Sequence, residues 1–246
     1  MLIQKDIEQI IFLDIETVPL FSEYEKMPDR FKKLWDKKAE QLNMNKSDII
    51  TPEKMYERAG IYAEFGRIIC ISVAYVSEEN GIKYIKGKSF ADPDEKILLS
   101  GFAQMLSRYN TLNGKITDKV LCAHNGKEFD FPYISRRMLI NGIKIPDILN
   151  TAGKKPWEVN HLDTMELWKF GDYKNYTSLN LLTAVFDIPT PKDDIDGSEV
   201  AKVYWEDKNL DRIVTYCQKD VVAIIQLFLK YQGESLIEEE NILFTK

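Results

Sequence analysis

The chain has only two histidines and three cysteines, and it has no apolar run near the roughly 18 residues that a membrane span requires. Two histidines, His124 and His161, are too few for a histidine-built metal centre, and His124 reads as a hydrogen-bonded structural residue rather than a base. Cys70, Cys122 and Cys217 are widely spaced with no C-x-x-C, which excludes a disulfide framework and a zinc knuckle and leaves reduced, mostly buried thiols. Excess positive charge is missing as well. Lys and Arg number 33 against 39 Asp and Glu, a net charge of −6, which argues against a protein that coats phosphates passively. An enzyme acting on nucleic acid remains compatible, provided that basic residues are local to a groove and bound cations supply positive charge at the reacting phosphate. The opening residues Met1 to Asp6 lack the basic segment and long apolar stretch of a secretory signal, so a cytoplasmic location is expected.

What the chain does have is enough length for one sizeable core. Residues 1–246 read as a single domain, too short to add a polymerase or helicase, and 44% hydrophobic content with mixed charge is that of a soluble globular protein. Ile10 to Thr17 is an apolar first strand. From Val18 to about Gly66 the sequence turns charged and helix-permissive, a largely helical insertion with Lys32, Lys33, Lys37 and Lys38 around Phe31, Leu34 and Trp35. A solvated amphipathic helix packing on the domain is the favoured reading there, and a basic surface guiding a nucleic-acid strand is the other. Arg67–Tyr75 and Gly81–Gly87 read as a hairpin, Asp94–Tyr109 as a helix, Val120–Ala123 as a short buried strand, and Pro132–Ile140, Thr177–Phe186 and Leu210–Tyr231 as helices. No repeat or low-complexity tract interrupts this order. It is an α/β order in which the first strand and the Val120 strand lie side by side at the sheet centre, so that residues beyond their carboxyl ends meet.

Acidic residues recur at those ends. Asp14 and Glu16 are two apart on the first strand and leave the same face while Ile15 leaves the other. Two such anions repel unless protons or cations intervene, and carboxylate oxygens suit magnesium or manganese better than zinc. Asp130 stands in Asn125-Gly126-Lys127-Glu128-Phe129-Asp130-Phe131-Pro132-Tyr133, just after the Val120 strand, with Pro132 suited to a first helical turn. Tyr216 and Asp220 lie four apart in the last long helix, on one face. Taken singly, these pairs describe a strand end, a helix cap and two polar helix positions. Together and in this order they describe a metal-dependent nuclease.

At these motifs, D-I-E-T, N-x-x-x-F-D-x-P-Y and Y-C-x-x-D-V, the chain resembles the proofreading exonuclease domain of family-B DNA polymerases, within the DnaQ-like superfamily of the RNase H-like fold. The resemblance covers most of the chain outside the insertion. Stretches such as Glu64–Ser72 and Lys192–Gly197 are similar to free-standing bacterial exonucleases of this group, and a tyrosine four residues before the last acid, with Thr215 where a histidine would stand otherwise, marks the tyrosine type (DEDDy). The implied fold is a mixed central sheet of about five strands flanked by helices, with a helical insertion after the first strand. The implied activity is 3′-5′ hydrolysis of the terminal phosphodiester of a single strand, DNA favoured over RNA, releasing nucleoside 5′-monophosphates with two Mg2+ or Mn2+. In that scheme Asp14, Glu16 and Asp220 ligate one ion, Asp14 bridges to the second, Asp130 supports the second through water, and Tyr216 orients the attacking water. By the same resemblance Thr17, Asn125 and Phe129 lie near the terminal nucleotide, Phe129 as a stacking surface or as a core wedge. The alternatives are an RNA-trimming exonuclease and a catalytically silent nucleic-acid-binding scaffold. Whether a polymerase or repair partner docks on the charged insertion is not legible in the sequence.

Other signals fail. Gly81 and Gly87 are separated by five residues rather than the four of a phosphate loop, and they fall in a hairpin. Asp194, Asp196 and Gly197 suggest a calcium loop, but Lys192 and Val203 occupy its first and last ligand positions. Asp163-Thr164 resembles an acid-threonine pair on a late strand of the superfamily and reads as structural support.

Overall fold

The computed structural model describes residues 5–44, 47–109, 111–112, 115–116, 119–172, 174, 176–189 and 195–245. Lys192, Asp193 and Asp194 of the supposed calcium loop lie outside the described residues.

β1 (Ile10–Pro19) leads into the insertion, which carries α1 (Asp29–Asn43) and α2 (Pro52–Tyr56). β2 (Gly66–Glu79) and β3 (Ile82–Ala91) form the expected hairpin, turning at Asn80 and Gly81, both with positive φ. Then come α3 (Glu95–Tyr109), the two-residue strands β4 (Thr111–Leu112) and β5 (Lys115–Ile116), β6 (Val120–Ala123), α4 (Asp130–Ile140), β7 (Leu162–Asp163), α5 (Thr164–Lys169), α6 (Leu179–Val185), α7 (Val200–Trp205), α8 (Leu210–Gln232) and β8 (Ile242–Thr245). The main sheet runs β7-β6-β1-β2-β3-β8, mixed in sense, with β1 antiparallel to β2 and parallel to β6. The architecture is the expected α/β, RNase H-like one, with β8 bringing the sheet to six strands. No helix among the described residues is long and apolar enough to cross a membrane.

β1 is apolar on both faces because the sheet is covered on both. Ile11, Leu13 and Ile15 pack with α3 and α4 residues Phe102, Leu106, Phe131 and Ile134. Ile10 and Phe12 pack on the opposite face against Ile224, Ile225 and Phe228 of α8, and Val18 continues that face against Val200, Val203, Ile213 and Cys217 of α7 and α8. Asp14 and Glu16 belong to this second face by the two-residue period, so α8 crosses directly over them.

A β-bulge sharpens the arrangement. Glu16 pairs with Cys70 but Thr17 pairs with Ile68, leaving Ile69 as the extra residue of β2. Adjacent Ile69 and Cys70 therefore both face α7 and α8. Here the Ile68 N–H donates to Glu95 Oε1 at 2.7 Å. Glu95 is itself buried and held by Arg137 Nε at 2.9 Å and by Asn141 Nδ2 at 3.0 Å, while Arg137 Nη1 donates to Ala63 O at 2.8 Å. One buried network thus ties β2 at its bulge to α3, α4 and the end of the insertion.

The insertion has its own small core. Trp35 is wholly buried on α1, its Nε1 donating to Pro52 O at 2.8 Å, with Tyr56 and Phe65 rings at 5.4 and 5.1 Å. Lys32 and Lys38 lie over the rings of Tyr24 and Tyr62. These contacts are those of an amphipathic helix closing its own core. Tyr133 of α4 anchors the insertion by donating from Oη to Gly60 O at 2.7 Å. A Cβ on Gly66 would meet that same hydroxyl at 2.3 Å, so only glycine fits there.

Candidate active site

Asp14 and Glu16 meet α8 at Cys217. The Cys217 thiol donates to Asp14 O at 3.4 Å and to Asp14 Oδ2 at 3.5 Å, and the donor atoms of Asp14, Glu16 and Cys217 all lie within 4.8 Å of one another. One residue away, the Tyr216 hydroxyl is hydrogen-bonded to Asp220, one helical turn on. The charges of Asp220 and Asp130 both act on Asp14 and Glu16, so all four acids named from sequence lie in the neighbourhood of the point where Asp14, Glu16 and Cys217 meet.

Asp130 reaches that point by a different route. β6 pairs with β1 only as far as Cys122 opposite Phe12, so the next part of β1 has no strand beside it on that edge. The Ile15 N–H there is taken by the Asp130 carboxylate. The helix expected from Pro132 begins at Asp130 itself, which puts this acid in the first turn with its own N–H also directed at the carboxylate. Asp163 holds the preceding loop. Its Oδ1 accepts from Asn125 N at 2.9 Å and from Met165 N at 3.0 Å, and its Oδ2 accepts from Lys127 N at 3.1 Å. The same carboxylate therefore caps α5 and fixes the turn in which Asn125 takes a positive φ of 64°. This is the structural support read into Asp163.

The three residues expected near the terminal nucleotide divide. Asn125 is half-buried and its Oδ1 has no hydrogen-bond partner. Thr17 is half-buried, with its side chain bonded to the Tyr133 hydroxyl. Phe129 packs half-buried on the core beside Tyr133, with ring centroids 5.3 Å apart, as a wedge does. His124 is structural, bonded through Nδ1 to Thr164 Oγ1 and through Nε2 to Thr177 O, both at 2.9 Å. Sequence reading passed over Cys217 and Cys70 as site residues. For Cys217 the available signal was position, directly after Tyr216; for Cys70, which stands opposite Glu16 only by strand register, there was none.

Burial, followed by the charges of Glu16, Asp220 and Asp130, holds the Asp14 carboxyl well above the usual carboxylate range. Burial and Asp220 do the same to Glu16. Asp130 is pushed up to about 8, mainly by burial, with the N–H groups it accepts opposing the rise. Burial and the neighbouring carboxylates likewise raise Tyr216. Among the described residues, no Lys or Arg forms an ion pair with Asp14, Glu16 or Asp130. Asp130 is 3% exposed, yet its Oδ1 lacks a hydrogen-bond partner. Unneutralised acids with a buried, unpartnered oxygen fit a centre for hard divalent cations.

A stability prediction follows. These carboxyls bind protons more tightly in the folded chain than in the unfolded one, so without cations their contribution to stability is lost as pH rises from the ordinary carboxylate range of about 4 through about 8, where Asp130 ionises. Melting curves in chelator should fall between these pH values, and added magnesium should raise the melting temperature more at the upper one. A chelated protein that becomes more stable across this range would contradict the assignment.

An RNase H-like sheet with an acidic centre where β1, α4 and α8 converge defines the class. Within it, the chain belongs to the family described as a predicted 3′-5′ exonuclease related to the exonuclease domain of PolB, whose family model matches residues 61–240. That span includes Asp130, Tyr216 and Asp220; Asp14 and Glu16 precede it and reach the centre on β1. A DNA polymerase of Pyrococcus glycovorans is 25% identical over 201 residues, 76% of this chain and 24% of the polymerase. A DNA polymerase of Thermococcus kodakarensis is 26% identical over 200 residues, 76% of this chain and 11% of that protein. The chain thus spans a quarter or less of these relatives. The family B DNA polymerase structure from Pyrobaculum calidifontis shares the fold, with a TM-score of 0.53 at 12% identity over 91% of this chain and 24% of that one.

Proposed function

We propose that this chain is a divalent-cation-dependent 3′-5′ exonuclease that removes nucleoside 5′-monophosphates from single-stranded DNA. What supports the proposal is that Asp14 and Glu16 stand close together on β1 and feel the charges of Asp130 and Asp220, with the Tyr216 hydroxyl bonded to Asp220. Asp14, Glu16 and Asp220 would hold one magnesium or manganese ion, and Asp14 with Asp130 a second. Such ions, when bound, lower the pKa of water and stabilise charge on the attacking and leaving oxygens.

The protein's part is positional. Ile15 N–H fixes the Asp130 carboxylate, α8 fixes Asp220 relative to β1, and Tyr216, kept protonated by its surroundings, presents a hydroxyl that orients the attacking water. Asn125, Thr17 and Phe129, all half-buried, would line the wall beside the terminal nucleotide. We read residues 1–246 as one exonuclease unit with 18–66 as its insertion, joined through Tyr133 and Arg137. The three buried, free cysteines support a reducing, cytoplasmic setting.

The test uses 5′-labelled single strands of DNA and of RNA, with magnesium or chelator. DNA should shorten from its 3′ end only with the cation, and Tyr216→Phe should slow this by about 10- to 100-fold. Faster trimming of RNA would reassign the substrate, and binding without cleavage would reassign the chain to a scaffold.

A further inference from the structure

Two thiols stand in the acidic centre that hydrolysis does not use. Cys217 Sγ lies 3.5 Å from Asp14 Oδ2. Cys70 stands opposite Glu16 across the β1 and β2 ladder and is hydrogen-bonded to Cys217. Both thiols are free and wholly buried. A centre built only for magnesium has no use for sulfur, because hard cations take oxygen ligands, whereas thiolate selects zinc-like ions.

Ligand spacing agrees with this. A tetrahedral ion with metal-sulfur and metal-oxygen bonds of the zinc type separates its sulfur and oxygen ligands by about 3.6 Å. The Cys217 and Asp14 donors already stand 3.5 Å apart, with Glu16 among the set within 4.8 Å. Independently, Asp130 Oδ1 is buried without a partner, and its carboxylate acts on Asp14 and Glu16. The centre thus has acceptor capacity that the protein does not itself fill.

We propose that Asp14, Glu16 and Cys217 bind one thiophilic divalent cation of the zinc and cadmium type, with the fourth position left to water and Cys70 holding the Cys217 sulfur in place. The Cys217 thiol, and each carboxyl that binds while protonated, gives its proton to solvent, and no redox change is involved. This ion shares Asp14 and Glu16 with the magnesium-loaded centre, so the two states exclude each other. That consequence, inhibition by thiophilic cations, rests on the exonuclease reading; the site itself does not.

The test is cadmium titration of the full chain, followed by the ultraviolet charge-transfer absorption of cadmium thiolate. The band should saturate at one equivalent, and Cys217→Ser should lower cadmium affinity by about tenfold or more. Cys122→Ala, which removes a thiol from the core between β6 and α8, should leave the band in place. Cys217→Ala serves beside the serine variant, and circular dichroism checks that each is folded. A folded wild-type chain without the band, or a band unchanged in both Cys217 variants, overturns the proposal. A band in a protein that never cleaves with magnesium keeps the site and removes the exonuclease reading. Cleavage with no band does the reverse.

Discussion

Asp14→Ala should lower cation-dependent cleavage by about a thousandfold or more, roughly 4 kcal/mol of transition-state stabilisation. Asp14 is the acid on which the charges of Glu16, Asp220 and Asp130 all act, and it sits on the rigid centre of the sheet between Phe12 and Val18. No neighbouring side chain replaces it, because Ile15 faces the opposite side. Folding should not suffer. Removing a half-buried, repelled carboxyl relieves strain, so in chelator at neutral pH the variant should melt no lower than the wild type. Rates and melting curves measured together separate the two effects. Activity retained within tenfold would remove Asp14 from the chemistry, and a collapsed melting temperature would make its role structural.

The second large effect concerns the scaffold. Arg137→Ala should destabilise the chain by about 3–5 kcal/mol, because it leaves Glu95 charged, buried and missing its main partner. Glu95 and Arg137 are each about 5% exposed or less, and their network reaches the Ile68 N–H at the bulge and the Ala63 carbonyl at the end of the insertion. Arg137→Lys should rescue only part of the loss, since one ammonium cannot reproduce the guanidinium fork that meets Glu95 and Ala63 at once. Urea unfolding measures both. A loss below about 1 kcal/mol for the alanine variant would place the network at the margin of stability.

The contrast between these two sites shows what the sequence made visible. Asp14 and Glu16 were legible because a strand has a two-residue period, and Tyr216 with Asp220 because a helix returns every four residues. Each is a local rule. Asp130 was legible as a motif, but its approach to β1 depends on β6 ending opposite Phe12, which is a fact of pairing. The bulge was hidden. Ile68-Ile69-Cys70-Ile71 is apolar throughout, so no alternation marks where the register shifts. Without the bulge, nothing indicated that Cys70 would join Cys217 beside the acids. β8, four residues pairing in parallel with β3, likewise carries no local signal. α1 was the easier case, since Trp35 and Ala39 share its buried face at helical spacing.

In the proposed mechanism β1, α4 and α8 bring four carboxylates together as one cation centre. Crystals of the protein soaked in manganese, measured by anomalous diffraction, address it most directly. The expected result is two peaks among Asp14, Glu16, Asp130 and Asp220. Peaks confined to other surfaces, or none at saturating manganese, would contradict it.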